Sequence, residues 1–145
     1  MKRDAGRTVA LEALDRCDYM VLAVLDGEGE PYCMPLNAVR MGEAVYFHSA
    51  RRGEKLECLR RHPRVCLTAV GRQRVVQAEY ETEFTCAVVR GAAHEVADPR
   101  AICRKYAPDC PDRVEEVIEK HLAHTAVWRV DLDQISGRER LCPEG

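Results

Sequence analysis

The sequence is poor in aromatic side chains, in net charge and in long apolar runs. Only 6% of its 145 residues are aromatic, with one Trp and two Phe, and the formal net charge is −2. A net charge this small and negative provides no general electrostatic attraction toward nucleic acid or anionic membranes. No apolar run approaches the roughly 20 residues that a membrane-spanning helix needs. We therefore expect neither a nucleic-acid partner nor association with a membrane.

Targeting signals and nucleotide-binding motifs are also missing. The first residues, Met1 to Asp4, carry charge but are not followed by the apolar segment of a signal peptide. We therefore expect a cytoplasmic protein. No GxGxxG pattern occurs, which excludes a nicotinamide site of the Rossmann type.

The eight cysteines include no CxxC pair, the spacing that structural zinc sites commonly show. They stand at positions 17, 33, 58, 66, 86, 103, 110 and 142. Cys58, Cys66 and Cys86 fall among apolar neighbours, where a free thiol packs as a small hydrophobe. We expect reduced, mostly buried thiols and no metal site.

Short runs of β-branched and apolar residues, separated by polar turns, predict a mainly β protein. The predicted strands are residues 19–25, 31–40, 44–47, 65–70, 75–80, 84–96 and 125–132. Gly71 to Arg74 is predicted to interrupt the chain between two of these strands, and Gly91 to mark a bend or bulge. Many short strands joined by tight turns favour an antiparallel barrel of six or seven strands. The interior of so small a barrel is filled by side chains, so a large ligand would lie outside it.

A few helices are predicted around this barrel. Thr8 is expected to cap a helix at 9–16, and a second helix follows Gly53 and stops at Pro63. Two more are expected at 98–106 and 114–122. The chain is thus predicted to form one domain, 1–145, with an N-terminal helical segment at 1–16 and peripheral helices within 98–122.

Positive charge is concentrated where the second helix begins. Arg51, Arg52 and Lys55 lie near a helix N-terminus, where the helix dipole is already positive. An anion held by backbone N–H groups, these side chains and the Ser49 hydroxyl would relieve the conflict. This pattern is typical of a phosphate-binding corner. The alternative is a solvated helix start whose basic side chains pair with nearby glutamates.

Other candidate residues each have a structural alternative. His48, at a strand end, has a side chain suited to proton transfer near neutral pH, or it is simply a half-buried histidine. His121 and His124 could share a metal, but placement near a helix C-terminus explains His121 without one. Trp128 is interpreted as a packing residue. The arginines between positions 51 and 64 lack the interleaved aromatics of a nucleic-acid surface.

Several segments together resemble a known family. They are Pro35-Leu36-Asn37, Met41-Gly42-Glu43, the run from Tyr46 to Ala50, Gly53-x-Lys55, the run from Leu59 to Cys66, and the run from Val127 to Arg138. In this order and spacing they are similar to the FMN-binding split-barrel proteins related to pyridoxamine 5′-phosphate oxidase. Within that family they most resemble the 5-nitroimidazole-resistance type. The resemblance extends over roughly residues 15 to 140.

The resemblance implies a homodimer of split barrels with two FMN sites at the subunit interface. Ser49 and Lys55 would hold the phosphate, with Arg51 as an auxiliary. The isoalloxazine would be lined by Pro35, Leu36 and Asn37. His48 and Ala50 would flank the flavin edge, with His48 facing the substrate, and Trp128 would reach the flavin of the other subunit.

Two positions depart from the family pattern. Ala38-Val39-Arg40 stands where aromatic residues usually follow the asparagine, which would widen the pocket. Thr85-Cys86 replaces a basic residue followed by serine, so that a phosphate or ribityl contact would be lost or softened. Cys86 next to a flavin would then be either a redox-responsive thiol or an inert buried one.

The leading functional hypothesis is an FMN-dependent oxidoreductase that reduces a small electron-poor substrate. His48 would be catalytic, and the electrons would come from NAD(P)H or a partner reductase. The alternative is a non-catalytic split-barrel carrier or sensor that binds a flavin or haem. The sequence predicts a single phosphate-binding corner, which favours FMN over FAD as the cofactor.

Overall fold

Eight strands and four α-helices form the described part of this computed structural model, which comprises residues 4–106 and 114–142. The strands are β1 Met20–Leu25, β2 Pro31–Leu36, β3 Ala38–Met41, β4 Ala44–Ala50, β5 Arg64–Val76, β6 Glu81–Glu95, β7 Thr125–Asp131 and β8 Gln134–Arg140. The helices are α1 Arg7–Arg16, α2 Glu54–Arg61, α3 Arg100–Tyr106 and α4 Val114–Leu122. The mainly β antiparallel fold predicted from the sequence is confirmed.

The long strand β6 connects the two halves of the barrel. Its first part pairs with β5 and β8, and residues Ala93 to Glu95 pair with β7. The sheet order is β2-β1-β5-β6-β7-β4-β3, with β8 added on β6, and every pairing is antiparallel. One strand thus belongs to both sides of the split barrel.

The strand count is one correction to the sequence prediction of six or seven. The segment 31–40 divides at Asn37 into β2 and β3, and residues 134–140 add β8. The predicted interruption at Gly71 to Arg74 is instead part of β5, which continues to Val76. The polar residues there remain paired because β6 supplies partners along the whole length of β5.

The bulge also lies at a different glycine from the predicted one. The register of β5 against β6 shifts between Val70 and Arg72, whereas Gly91 is paired regularly with Val65. The backbone N–H of Arg72 donates to the Thr85 hydroxyl at 3.0 Å, which satisfies one backbone group at the irregularity. A Cβ on Gly71 would lie 2.5 Å from the Ala13 Cα, so the bulge also allows α1 to pack closely.

Helix α1 begins earlier than predicted, at Arg7, and the Thr8 cap is wrong. Its N-cap is Gly6, which has no side chain to offer. The Asp4 carboxylate instead accepts from the backbone N–H groups of Gly6 and Gly137, both at 2.9 Å. These two bonds lower the pKa of Asp4 and attach the start of α1 to β8.

Strand β4 is buried on both faces over its first four residues, which explains its continuous apolar run. Val45 and Phe47 face the main core inside the barrel. Ala44 and Tyr46 face a second cluster that includes Ile118 of α4. Helix α4 therefore covers the outer face of β4, and β4 alternates with solvent only from His48 onward.

Candidate functional site

A cavity of about 340 Å³ lies between the strands around β4 and the two helices α3 and α4. Its lining is mainly apolar and is completed by an amide, two imidazoles and a thiol: Asn37, Ala38, Phe47, His48, Cys103, Val117, Ile118, His121 and Val127. The volume is at the small end of the roughly 300–1,000 Å³ typical of ligand pockets. Its dimensions suit a small molecule better than a whole nucleotide cofactor.

His48 and His121 meet at this cavity. The ring centroids are 5.1 Å apart and the planes are inclined by 78°, an edge-to-face arrangement. Burial lowers the pKa of His48, and the positive charges of His121 and Lys55 lower it further. At neutral pH His48 is therefore mainly the neutral imidazole, which can accept a proton or, when protonated, donate one.

Ser49 lies beneath the surface rather than at it. The residue is 5% exposed, and its hydroxyl accepts a hydrogen bond of 3.0 Å from the indole N–H of Trp128. The same hydroxyl donates to the Ala50 carbonyl at 3.1 Å. Trp128 is 3% exposed and belongs to the main core. Within this chain, the predicted phosphate ligand Ser49 thus has an internal partner, and Trp128 packs as a core residue.

Arg51 binds the end of α4. Its guanidinium donates to the Leu122 carbonyl through Nη2 at 2.6 Å and through Nε at 3.1 Å. A cation at the C-terminus of a helix is favourable because the helix dipole is negative there. Arg51 therefore attaches the loop after β4 to the helix that covers the cavity.

The start of α2 differs from the predicted concentration of positive charge. The helix begins at Glu54, so that Arg51 and Arg52 precede it, and its first turn also contains Glu57. The unfavourable interaction between the basic side chains and the positive end of the helix dipole is therefore smaller than the sequence indicates. The N-cap, Gly53, makes no side-chain cap hydrogen bond. The first N–H groups of α2 thus remain available to a ligand.

Lys55 and the exposed Arg52 are the cations of this corner for which the described residues provide no partner. Lys55 is the more buried of the two. It is half-buried in the first turn of α2, and within residues 4–106 and 114–142 no hydrogen bond or ion pair involves its ammonium group. Its charge acts on His48, as the lowered pKa of that imidazole indicates. Lys55 is therefore within electrostatic range of His48, although it is not among the residues that line the cavity.

The other predicted flavin contacts occupy one corner of the chain. Pro35 is exposed, Leu36 is buried, and Asn37 is the exposed residue between β2 and β3. The pairing of Ala38 with Phe47 brings this corner beside β4, where Ala50 is exposed at the strand end. Asn37 and His48 thus line one cavity although they are eleven positions apart in sequence.

Cys86 lies elsewhere in the same chain. It pairs with Val70 on β5 and with Arg138 on β8. It is seven residues from Ala93, where β6 first pairs with β7, which corresponds to roughly 23 Å along an extended strand. One chain therefore does not bring Cys86 to His48.

The cysteines in the described ranges are unpaired thiols. Cys58 is buried and Cys66 and Cys86 are half-buried, while Cys110 lies outside the described residues. In those ranges no group of three metal-ligating side chains is assembled, and no helix is long and apolar enough to cross a membrane.

The sequence interpretation missed the role of α4 in the site. It assigned His121 to a helix end and compared it with His124, which follows the last helical residue. A signal was present, because His121 lies three residues after Ile118 and four after Val117. This spacing places all three on one helix face. The partner of that face was not visible in the sequence.

Comparison with known proteins identifies a protein family that this chain matches. Residues 7–139 match the family model described as pyridoxamine 5′-phosphate oxidase. No curated protein matches the chain.

Among the solved structures with the same fold are three proteins that are described by the ligand they bind or by their role. A proposed 5-nitroimidazole antibiotic resistance protein from Bacteroides thetaiotaomicron is 22% identical, with a TM-score of 0.70 over 92% of this chain and 83% of that one. An FAD and haem binding protein from Mycobacterium smegmatis is 18% identical, with a TM-score of 0.73 over 100% and 77%. An FAD-binding protein from Mesorhizobium loti is 24% identical, with a TM-score of 0.68 over 96% of both chains. At these identities the likeness establishes the fold.

Proposed function

The chain belongs to the pyridoxamine 5′-phosphate oxidase family, and we propose that it is an FMN-dependent oxidoreductase that reduces a small electron-poor molecule, as a nitroimidazole reductase does. The observation that carries the proposal is the position of His48. Its imidazole lines an apolar cavity of substrate size beside the predicted phosphate corner at Lys55. Proton donor, substrate space and cofactor anchor are then adjacent.

The residues at the corner fit a flavin phosphate in part. Lys55 and the uncapped N–H groups of α2 are available donors for such a group. Ser49 and Arg51 already have partners within the chain, so either would have to exchange them to reach the phosphate. We therefore assign the main contact to Lys55. The corner from Pro35 to Asn37 would line the ring.

When bound, FMN would supply the electrons or hydride for the reduction. The chain's own residues bind and orient the substrate and manage its protons. The apolar walls formed by Phe47, Ile118 and Val127 would pack against an apolar substrate. The protonated form of His48 would transfer a proton to the substrate atom that gains electron density. Because the pKa of His48 is lowered, this form is the minor one at neutral pH and becomes more populated as pH falls.

We also propose a homodimer in which the outer face of the larger sheet half is the interface. The paired residues Pro35, Val21, Thr68, Val88 and Ser136 form a row across β2, β1, β5, β6 and β8. This row carries no charge, is at least partly exposed, and is bordered by the strongly exposed Tyr19 and Val70. An uncharged sheet face is typical of a surface that is covered in the assembly.

A dimer through this face could bring the half-buried Cys86, which lies on the same face of β6 as Val88, toward the partner's site, whereas Trp128 is buried in its own core and does not reach it. Val88→Glu places a charge in the middle of the row, and we expect it to give monomers by light scattering. If Val88→Glu remains fully dimeric, this face is not the interface. The electron donor in this proposal is NAD(P)H or a partner reductase in the cytoplasm.

A non-catalytic carrier or sensor is the second candidate, and one observation favours it. Two of the predicted phosphate ligands, Ser49 and Arg51, are engaged within the chain, so the corner has fewer free donors for FMN than expected. The solved structures that bind FAD or haem have the same fold. A protein of this class would bind its cofactor without turnover of a substrate.

The absorption spectrum of the purified protein separates these functions. A flavin spectrum, with FMN identified by mass after heat release, supports the oxidoreductase, and a Soret band indicates haem. Bleaching of the flavin by NAD(P)H, followed by reoxidation when a nitroimidazole is added, distinguishes the enzyme from a carrier. Protein that neither contains flavin nor takes up added FMN contradicts the proposal.

A further inference from the structure

Among the residues that the structure describes, the lining of the cavity between β4 and α4 contains hydrogen-bond donors but no acid. Its polar lining consists of the Asn37 amide, the two imidazoles of His48 and His121, and the Cys103 thiol. The remaining lining residues are apolar. Neither imidazole makes a hydrogen bond or an ion pair in the part of the chain that the structure describes. Both ring edges are therefore available to a ligand.

The two rings lie edge to face at one end of the cavity. At a centroid separation of 5.1 Å, one small acceptor can approach an N–H group of each ring. When His48 is protonated, this end of the cavity carries a positive charge. A single positive charge at the end of an apolar cavity is suited to a monoanion.

We propose that this cavity binds a small aromatic monocarboxylate, with its carboxylate against the free edges of the His48 and His121 rings and its own ring against Ala38, Ile118 and Val127. The ring is expected to be electron-poor, a point that rests on the proposed function, whereas the binding itself does not. A charge-assisted hydrogen bond to a carboxylate is about twice as strong as a neutral one. The pair therefore selects an acid over a neutral molecule of the same shape.

The groups that face His48 determine the direction of the pH dependence. They are His121 from α4, Cys103 from α3 across the cavity, and Lys55 from α2. Within residues 4–106 and 114–142 no carboxylate lines the cavity, so none of the described residues offers an anion that competes with the ligand. Affinity for the carboxylate is therefore expected to rise as pH falls and His48 gains a proton. A neutral amide analogue should bind with little dependence on pH.

Calorimetric titration with 4-nitrobenzoate and its neutral analogue 4-nitrobenzamide tests the proposal. We expect the acid to bind at least tenfold more tightly at about pH 5.5 than at about pH 8, while the amide changes less than about threefold. The double change His48→Gln with His121→Gln should abolish the pH dependence, because it leaves no imidazole in the lining. His124→Gln, a matched change outside the cavity lining, should leave the pH dependence intact. Equal affinity of acid and amide at low pH, or the same pH dependence in the double variant, overturns the proposal.

The flavin content of each sample, read from its absorption spectrum, keeps this test separate from the proposed function. Selective, pH-dependent binding of the acid by protein that takes up no flavin supports the carboxylate site and contradicts the oxidoreductase. Binding that occurs only in flavin-free protein and is displaced by added FMN would assign the cavity to the flavin ring. That outcome would overturn the carboxylate proposal while leaving flavin binding in place.

Discussion

Replacement of Ser49 by alanine is expected to destabilise the fold through its effect on Trp128. The Ser49 hydroxyl accepts the indole N–H at 3.0 Å, and both residues are almost completely buried. Ser49→Ala leaves that N–H without its partner in a place that water does not reach. An unsatisfied buried donor costs about 1–3 kcal/mol, whereas an ordinary surface substitution changes stability by less than about 0.5 kcal/mol.

The measurement is the free energy of unfolding in urea, together with the melting temperature. For a chain near this length each kcal/mol lowers Tm by about 2–4 °C, so we expect a decrease of about 2–12 °C. Ser136→Ala is the matched control, because Ser136 is the other serine of the sequence and is only half-buried. It should change the free energy of unfolding by less than about 0.5 kcal/mol.

A double-mutant cycle with Trp128→Phe isolates the hydrogen bond. Phenylalanine removes the indole N–H, so Ser49→Ala no longer leaves an unpaired donor. We expect a coupling free energy of about 1 kcal/mol between the two positions. If Ser49→Ala costs the same in both backgrounds, the hydrogen bond is not the cause. A loss of flavin affinity without a loss of stability would instead indicate that Ser49 is a phosphate ligand, as the sequence predicted.

Three further changes test the corner, the bulge and the histidine pair. Lys55→Ala should weaken FMN binding by about 1.5–3 kcal/mol in a fluorescence titration, because a charge-assisted contact is lost; Lys120→Ala, an exposed lysine on α4, should have no effect. Gly71→Ala should lower the free energy of unfolding by at least about 1–3 kcal/mol, since its Cβ would meet backbone at 2.5 Å. Gly27→Ala should cost much less, because the atom met there is the end of an arginine side chain. The lowered pKa of His48 means that its contribution to stability is present above the unfolded-state pKa and is lost as pH falls through the folded-state pKa. His48→Gln should therefore flatten the decrease in urea-derived stability below about pH 6.5, and an unchanged slope would contradict this.

Local pattern was sufficient for much of the fold. The predicted α2 and α4 and the strand β1 agree with the structure to within one residue at each end. Each of these elements has a clear apolar periodicity and a stop signal close by, such as Pro63 after α2. The family resemblance, which rested on short segments distributed over roughly residues 15 to 140, is also confirmed.

Polar segments were predicted less well, because their structure depends on partners far away in the chain. Residues 71–74 look like a loop in isolation, but β6 supplies backbone partners that keep them extended. The bulge at Gly71 follows from the approach of Ala13, which is distant in sequence. Residues 134–140 form β8 because β6 offers them a free edge.

The sequence by itself determined the chemical groups of the site and their order: a histidine at a strand end, a serine beside it, and a lysine opening the next helix. Only the tertiary structure decided which of these groups line the cavity and which have partners within the chain. The antiparallel pairing of β4 with β7 brings Trp128 to Ser49, and Leu122 and His121 of α4 to Arg51 and His48. A hydrogen bond or ring contact between residues more than seventy positions apart depends on strand register and helix placement. Strand register and helix placement are set by burial of the whole core, so they cannot be read from the spacing of these residues in the sequence.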